Sequence, residues 1–405
     1  MFGQTLNELT FRLTLTPAGP LLVKAGEEAA AAREIEDAVG RLPRDQMAYF
    51  MDRKKREEDR RAALKKQARE NRAREREARR AARQAHRLPG VVETHEPADM
   101  RFVLTRRGGR SEPYLPGSSL KGVLRSQAER LARSMTVAGG GACNPFGALQ
   151  GADPPCWHVL GDPDALHQQP ASAAEAYPVL CPICRLFGSP YLAGRLRIGD
   201  AYLVAPPDGE LRLPRRDGVG IDRRRGAAAD GAKYDFEFWN GGAFQAQVSI
   251  QNFELWQLGL LAHVLHALGA GEINVGFGAR RGLGRVQGTA SEMTLAYVGA
   301  AALAQVGPAL RLFGLGQLAQ ENTMLAAYGF LPGEALTLTH GARLLTDDRP
   351  SLRRAWAIDE PERLWEMVGP LWTPRQVAEL TAQQQAAAAA LLARRRATGE
   401  EAAHG

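Results

Sequence analysis

Apolar and polar residues alternate over Leu9, Phe11, Leu13 and Leu15, the pattern of a strand with one buried face, and the run stops at Pro17. In PYLPGSSLKGVLR, residues 113 to 125, the spacing changes. Leu120, Leu124, Ala128, Leu131 and Met135 recur three and four apart, which predicts a helix with one apolar stripe. Pro116 and Gly117 set a turn ahead of it, and Ser118 or Ser119 is expected to cap it, leaving first-turn N–H groups to meet an anion. Lys121 and Arg125 lie four apart beside the stripe, on one face. A strand is expected within GRLRIGDAYLV, residues 194 to 204. The second half repeats the order: FQAQVSI (244–250) alternates, 253–268 has helical spacing and ends before Gly269, and 272–277 returns as a strand. Two strand–helix–strand units predict an α+β fold with a ferredoxin-like, RNA-recognition-type core.

Several segments do not fit this core. Residues 27–96 read as a basic helical insertion, since Arg53 to Arg87 contains 16 Lys and Arg against 6 Asp and Glu, a surplus larger than the whole chain's +7. That run has helix formers, no Gly or Pro and almost no apolar face, so it is either a solvated helix or an arm that meets phosphates. Residues 206–239 interleave glycines with seven Arg and Lys, which suits a projecting loop or a basic hairpin that grips nucleic acid. Beyond residue 290 the chain is rich in Ala, Leu and Gln, and 291–405 is expected to be a helical extension. The core itself is assigned to residues 1–290. A pI near 9.4 points to an acidic partner. The absence of a long apolar run or a basic-then-apolar leader suggests a cytoplasmic protein with no membrane partner.

All four cysteines, Cys143, Cys156, Cys181 and Cys184, fall within 42 residues, and the last two form CPIC. Four thiolates at about 2.3 Å from Zn²⁺ make a closed tetrahedral site, so a structural zinc insertion over 139–190 is expected. Separations of 12 and 24 intervening residues are looser than in common zinc fingers. His158, in CWH, could replace Cys156. Buried free thiols or a redox pair are the alternatives; a disulfide scaffold does not suit a large chain without a leader.

GFGARRGLG, Gly276 to Gly284, contributes Gly276, Gly278, Gly282 and Gly284 for close backbone approach and Arg280 and Arg281 for charge. Lacking the P-loop Lys and Ser/Thr, it is not a nucleoside-triphosphate site.

In their order, DMRFV, PYLPGSSLKGVLR, CPICRLFGS, RLRIGDAY, GIDRRRGAA and GFGARRGLGRV resemble the RAMP superfamily of CRISPR-associated proteins, specifically type III effector backbone subunits, with type III-D members the most similar. The resemblance covers residues 5–26 and 97–290 and leaves out the basic insertion and the last quarter. It implies a subunit that polymerises along a guide RNA (crRNA) beside other effector subunits and meets a complementary target RNA. The implied guide contacts are Ser118, Ser119, Lys121, Arg125 and the Gly276–Gly284 loop. The implied thumb contains Ile221, Asp222 and Arg223. The family's catalytic aspartate, in the loop before PGSSLKG, matches Asp99, which would bind Mg²⁺ and promote attack by a ribose 2′-hydroxyl on the adjacent phosphate, unless it caps a turn. The insertion of roughly 70 residues in that loop departs from simpler members and puts the cleavage site in doubt. Glu93, His95 and Glu96 lie nearby, and His95 is a candidate general base. The functions in play are a guide-binding subunit that cleaves target RNA, a purely structural one, and a metal-independent enzyme that processes precursor guide RNA.

Overall fold

The computed structural model describes residues 4–24, 98–108, 110–135, 140–147, 154–161, 172–205, 213–306, 311–318, 328–331, 335–338, 341–345 and 352–398. The basic insertion, with Glu93, His95 and Glu96, lies outside them. The chain divides into two units, one of Met1–Lys24, Phe102–Asp217 and Glu237–Gly405, the other of Ala25–Arg101 and Gly218–Phe236.

In chain order the strands of the main sheet and of one separate hairpin are β1 (Asn7–Pro17), β2 (Leu104–Arg107), β3 (Arg110–Leu115), β4 (Leu196–Ile198), β5 (Ala201–Leu203), β6 (Arg215–Ile221), β7 (Ala228–Glu237), β8 (Phe244–Gln251), β9 (Val286–Val298), β10 (Ala342–Leu344) and β11 (Arg353–Ile358). The main sheet has the order β10-β11-β9-β1-β8-β5-β3-β2, with β4 also on β8. Helix α1 (Gly117–Ser134) lies between β1 and β4 in sequence, and further along come α2 (Ala173–Val179), α3 (Pro182–Phe187) and α4 (Leu255–Gly269), the last joining β8 to β9. The central strands therefore run fourth, first, third, second in sequence and pair antiparallel, which is the ferredoxin-like arrangement.

The alternation in β1 decides which face is buried. Leu9, Phe11, Leu13 and Leu15 are fully enclosed, whereas Thr14 faces the other way and accepts a hydrogen bond from Gln245 Nε2 at 3.3 Å. Helix α4 is apolar nearly all round because it is covered on both sides. Val368 O lies 2.8 Å from where a Gly259 side chain would begin, so only glycine permits that approach by α5 (Pro361–Val368). Phe11 meets Trp365 edge-on and Trp256 lies beside Trp372.

Two expectations change. Residues 272–277 form no strand, only the bridge Asn274–Arg285, because the positive-φ glycines that follow break the extended backbone; the returning strand is β9. The C-terminal extension is not all helical either. RRAWAI alternates too briefly to stand out, yet as β11 it pairs with β9, covers what would be an open edge and buries Trp356 against Tyr297. Helix α6 (Pro374–Thr398) agrees with the expected helix, and its Arg395 donates to the carbonyls of Val159 and Leu160 while Leu391 packs with Val159, Leu160, Ala176 and Val179. The last quarter thus buttresses the cysteine-bearing insertion.

A buried polar network joins that insertion to the core. Tyr177 donates to Glu254, whose other oxygen accepts the Leu331 N–H at 3.2 Å, and the Arg195 and Arg185 guanidinium groups lie 4.6 and 5.1 Å from the Tyr177 ring centre. Replacing Glu254 would strip two buried donors, the Tyr177 hydroxyl and the Leu331 N–H, of their acceptor. Glu254→Ala is expected to lower unfolding free energy by about 3 kcal/mol, measured by urea denaturation; a loss below about 1 kcal/mol would show the network to be dispensable.

Candidate nucleic-acid interface and metal centre

Helix α1 begins without a serine cap. Pro116 occupies the cap position and no side chain of the segment caps the helix; the Gly117 N–H donates instead to Asp200 Oδ1 at 2.8 Å. The expectation that Ser118 or Ser119 caps is therefore corrected: the turn between β4 and β5 supplies the acceptor, and Gly117 is obligatory because a Cβ there would lie 2.2 Å from Ile198 O. The N–H groups of Ser118 and Ser119 have no partner among the described residues, and both serines reach the surface. Lys121, half-buried one turn in, has its proton affinity lowered, first by burial and then by Arg125 and Arg197. Open N–H groups at a helix start favour an anion, and Lys121 adds a cation one turn on. Arg197, the exposed residue between Leu196 and Ile198 on β4, was legible from alternation but was not singled out.

Arg125 has a different environment from the one expected. Its Nε donates to Glu129 at 2.9 Å, Nη1 to Gly188 O at 3.0 Å and Nη2 to Cys184 Sγ at 3.2 Å. The guanidinium is thus engaged by three acceptors within the protein, which the expected phosphate contact did not foresee.

The four cysteines converge. Cys143 follows α1, where its carbonyl accepts from Arg133 at 2.7 Å; Cys156 opens a short 3-10 turn, Cys156–Leu160; Cys181 caps α3, and Cys184 lies in the first turn of α3. All four sulfurs lie within 4.8 Å of one another, with Cys143 and Cys184 at 3.7 Å. A tetrahedron with metal–sulfur bonds of about 2.3 Å has edges of about 3.8 Å, so the donor set fits a closed thiolate site. Hydrogen bonds from Cys143 and then Cys156 and Cys184 pull the Cys181 thiol down, while contacts with Cys143 first, and also with Cys181, push Cys156 and Cys184 up. His158 is outside the cluster and turns Nδ1 to Pro155 O at 2.9 Å, so it does not replace Cys156.

In the Gly276–Gly284 loop, all four glycines have φ between +78° and +84°. Gly276 and Gly284 also allow close packing, since a Cβ would fall 2.2 Å from Leu22 O and 2.3 Å from Val275 O. The backbone requirement is thus mostly internal, while Arg280 and Arg281 are exposed and Arg281 lies 5.7 Å from the Phe277 ring centre.

Strands β6 and β7 form the basic hairpin. Tyr234 lies across Gly218, filling the space a Cβ would occupy. At the tip Asp222 accepts from the N–H groups of Arg224 and Arg225, at 2.8 and 3.3 Å, and from Arg225 Nε at 3.1 Å, bonds that hold its carboxyl below the usual range. Asp222 therefore shapes the tip, and Arg223 and Arg224 are exposed.

Asp99 and Asp235 grip one another. The Asp99 N–H donates to Asp235 Oδ1 at 2.8 Å and the Asp235 N–H to Asp99 Oδ2 at 3.1 Å, beside the bridge Met100–Phe236. Sequence reasoning missed Asp235, which is remote in the chain and sits in a hairpin read only for its basic residues. The reciprocal bonds join segments 136 residues apart and bring two carboxylates together.

No helix among the described residues is long and apolar enough to cross a membrane. No curated protein is significantly similar to the chain. Among solved structures it resembles a chain of a "Type IV-B CRISPR Complex", with 12% identity, a TM-score of 0.35, and 77% of this chain and 99% of that one covered. The family model of the RAMP superfamily matches residues 14–287, from the first core strand to the beginning of the last. With that match extending over most of its length, the chain belongs to the RAMP superfamily.

Proposed function

We propose that this RAMP protein is a guide-RNA-binding backbone subunit of a CRISPR effector ribonucleoprotein, of the type III class its sequence segments resemble. The observation that carries the reading is the first turn of α1, where the Ser118 and Ser119 N–H groups are open among the described residues and Lys121 follows, its proton affinity lowered by burial, Arg125 and Arg197. A phosphodiester supplies the missing anion. The exposed Arg280 and Arg281 and the hairpin arginines add charge for the rest of the backbone, and neighbouring RAMP subunits and a complementary target strand complete the assembly.

The cysteine cluster suits zinc in a structural role, because four thiolates leave no open coordination position for substrate. Asp99 is assigned to target cleavage with Mg²⁺, the Asp235 carboxylate beside it offering a second oxygen ligand. The bound cation would supply positive charge for attack by the target's 2′-hydroxyl, while base pairing with the guide and the hairpin arginines hold the scissile phosphate in line. A purely structural subunit is the second reading, and the engagement of both carboxylates with backbone N–H groups favours it.

Three measurements separate these readings. Lys121→Ala is expected to weaken single-stranded RNA binding and to lower the salt slope by roughly 1, followed by fluorescence anisotropy over a salt series; an unchanged slope counts against the phosphate contact. Metal analysis of the purified protein should return about one zinc per chain and none for Cys184→Ser. Because the Cys156 and Cys184 thiols hold their protons tightly, zinc affinity should fall as pH is lowered. Asp99→Asn keeps an acceptor for the Asp235 N–H but removes the charge. In the assembled complex it should abolish target cleavage and leave guide binding intact; full cleavage by this variant, or none by the wild type, selects the structural reading.

A further inference from the structure

We infer that Tyr114 and Tyr202, with Arg107 beside them, form a stacking platform for a base of the RNA strand whose phosphate meets the first turn of α1, a contact that rests on the RNA-binding reading above and adds the bases to it.

The register of the main sheet puts this platform on the polar face. Thr14 on β1 lies opposite Gln245 on β8, Gln245 opposite Tyr202 on β5, and Tyr202 opposite Tyr114 on β3. Residues directly opposite one another share a face, and Leu9, Phe11, Leu13 and Leu15 occupy the other, buried one. All four members of the row are partly exposed. The two tyrosine rings are nearly parallel, at 18° to one another with centres 6.2 Å apart. A cross-strand aromatic pair stabilises a sheet wherever it occurs, so the pair alone does not mark a site.

The charge around this pair sets it apart. The Arg107 guanidinium lies 4.9 Å from the Tyr202 ring centre and 3.7 Å from the Glu112 carboxylate, while 60% of its side chain stays exposed. Glu112 is buried, so it steadies Arg107 beside the ring without facing solvent. Directly opposite Arg107 across the β2–β3 hairpin is Arg110, also exposed. A polyanion is therefore favoured at this end of the sheet. The planes of two phenol rings and a guanidinium suit the flat face of a nucleobase, and stacking of this kind tolerates any sequence.

Platform and phosphate site adjoin. Tyr114 precedes Ser118 by four residues, a span of at most about 14 Å even when fully extended. Tyr202 follows by two residues Asp200, the acceptor of the Gly117 N–H. A strand anchored by a phosphate at the Ser118 and Ser119 amides thus brings its neighbouring bases to the tyrosines. The phosphate contact carries the salt dependence, and stacking adds affinity that salt changes little.

The test uses full-length protein and two fluorescein-labelled strands of equal length, a mixed-sequence single-stranded RNA and its abasic ribose-phosphate counterpart, titrated by anisotropy over a salt series. The wild type should bind the base-bearing strand about tenfold more tightly. In the double variant Tyr114→Leu, Tyr202→Leu the preference should shrink to less than about twofold with the salt slope unchanged. The double variant Tyr114→Phe, Tyr202→Phe, which keeps both rings, should restore it. Lys121→Ala should lower the slope and keep the preference. Equal affinity of the wild type for the two strands overturns the inference and leaves the phosphate contact standing; this comparison needs no variant and survives a leucine variant that misfolds. An undiminished preference in a folded leucine variant overturns the inference as well. Failure of the wild type to bind either strand overturns the underlying reading together with it.

Discussion

Helix α1 is tied to its surroundings by hydrogen bonds, among them the Asp200 carboxylate on its first N–H and the Cys184 sulfur and Gly188 carbonyl on Arg125, and what the chain presents to an anion depends on where they hold it. The arrangement follows from helix physics. A helix start has N–H groups that nothing inside the helix can satisfy, and a carboxylate placed there is favoured by the local dipole. Asp200 takes one of these groups and leaves the next two open.

The same economy of donors appears elsewhere. Asp222 turns inward to shape the hairpin tip, so that the arginines after Ile221 are set by a local carboxylate. Asp99 and Asp235 hold each other's backbone. Glu254 organises the buried junction between α4 and the cysteine insertion. In each case an acidic residue fixes backbone or cation geometry close to a segment that is rich in positive charge.

Much of the core was legible in the sequence because burial imposes periodicity. The alternation in β1 and β8, the helical stripe of α1 and the apolar run of α4 each report one buried face, and their order yields the ferredoxin-like arrangement. What was not legible depends on contacts remote in the chain. No local pattern marks Asp200 as the partner of Gly117, Asp235 as the partner of Asp99, or Cys184 as the partner of Arg125. The charge and spacing of Arg125 suggested a phosphate contact because a sequence does not reveal which neighbour takes a donor. β11 was missed for a related reason: six residues of alternation within an Ala-rich region carry little signal until β9 offers an edge. The cysteine spacing, by contrast, identified all four members of the cluster, since few groupings other than a shared ion bring four thiols together.

The account stands most directly on the first turn of α1, and amide hydrogen exchange reads that turn without mutation. With saturating single-stranded RNA, exchange at the Ser118 and Ser119 amides, which have no partner among the described residues, should slow markedly, because a phosphate oxygen would accept from them. Unchanged exchange at both amides in protein shown to be RNA-bound would contradict the account and move the interface elsewhere.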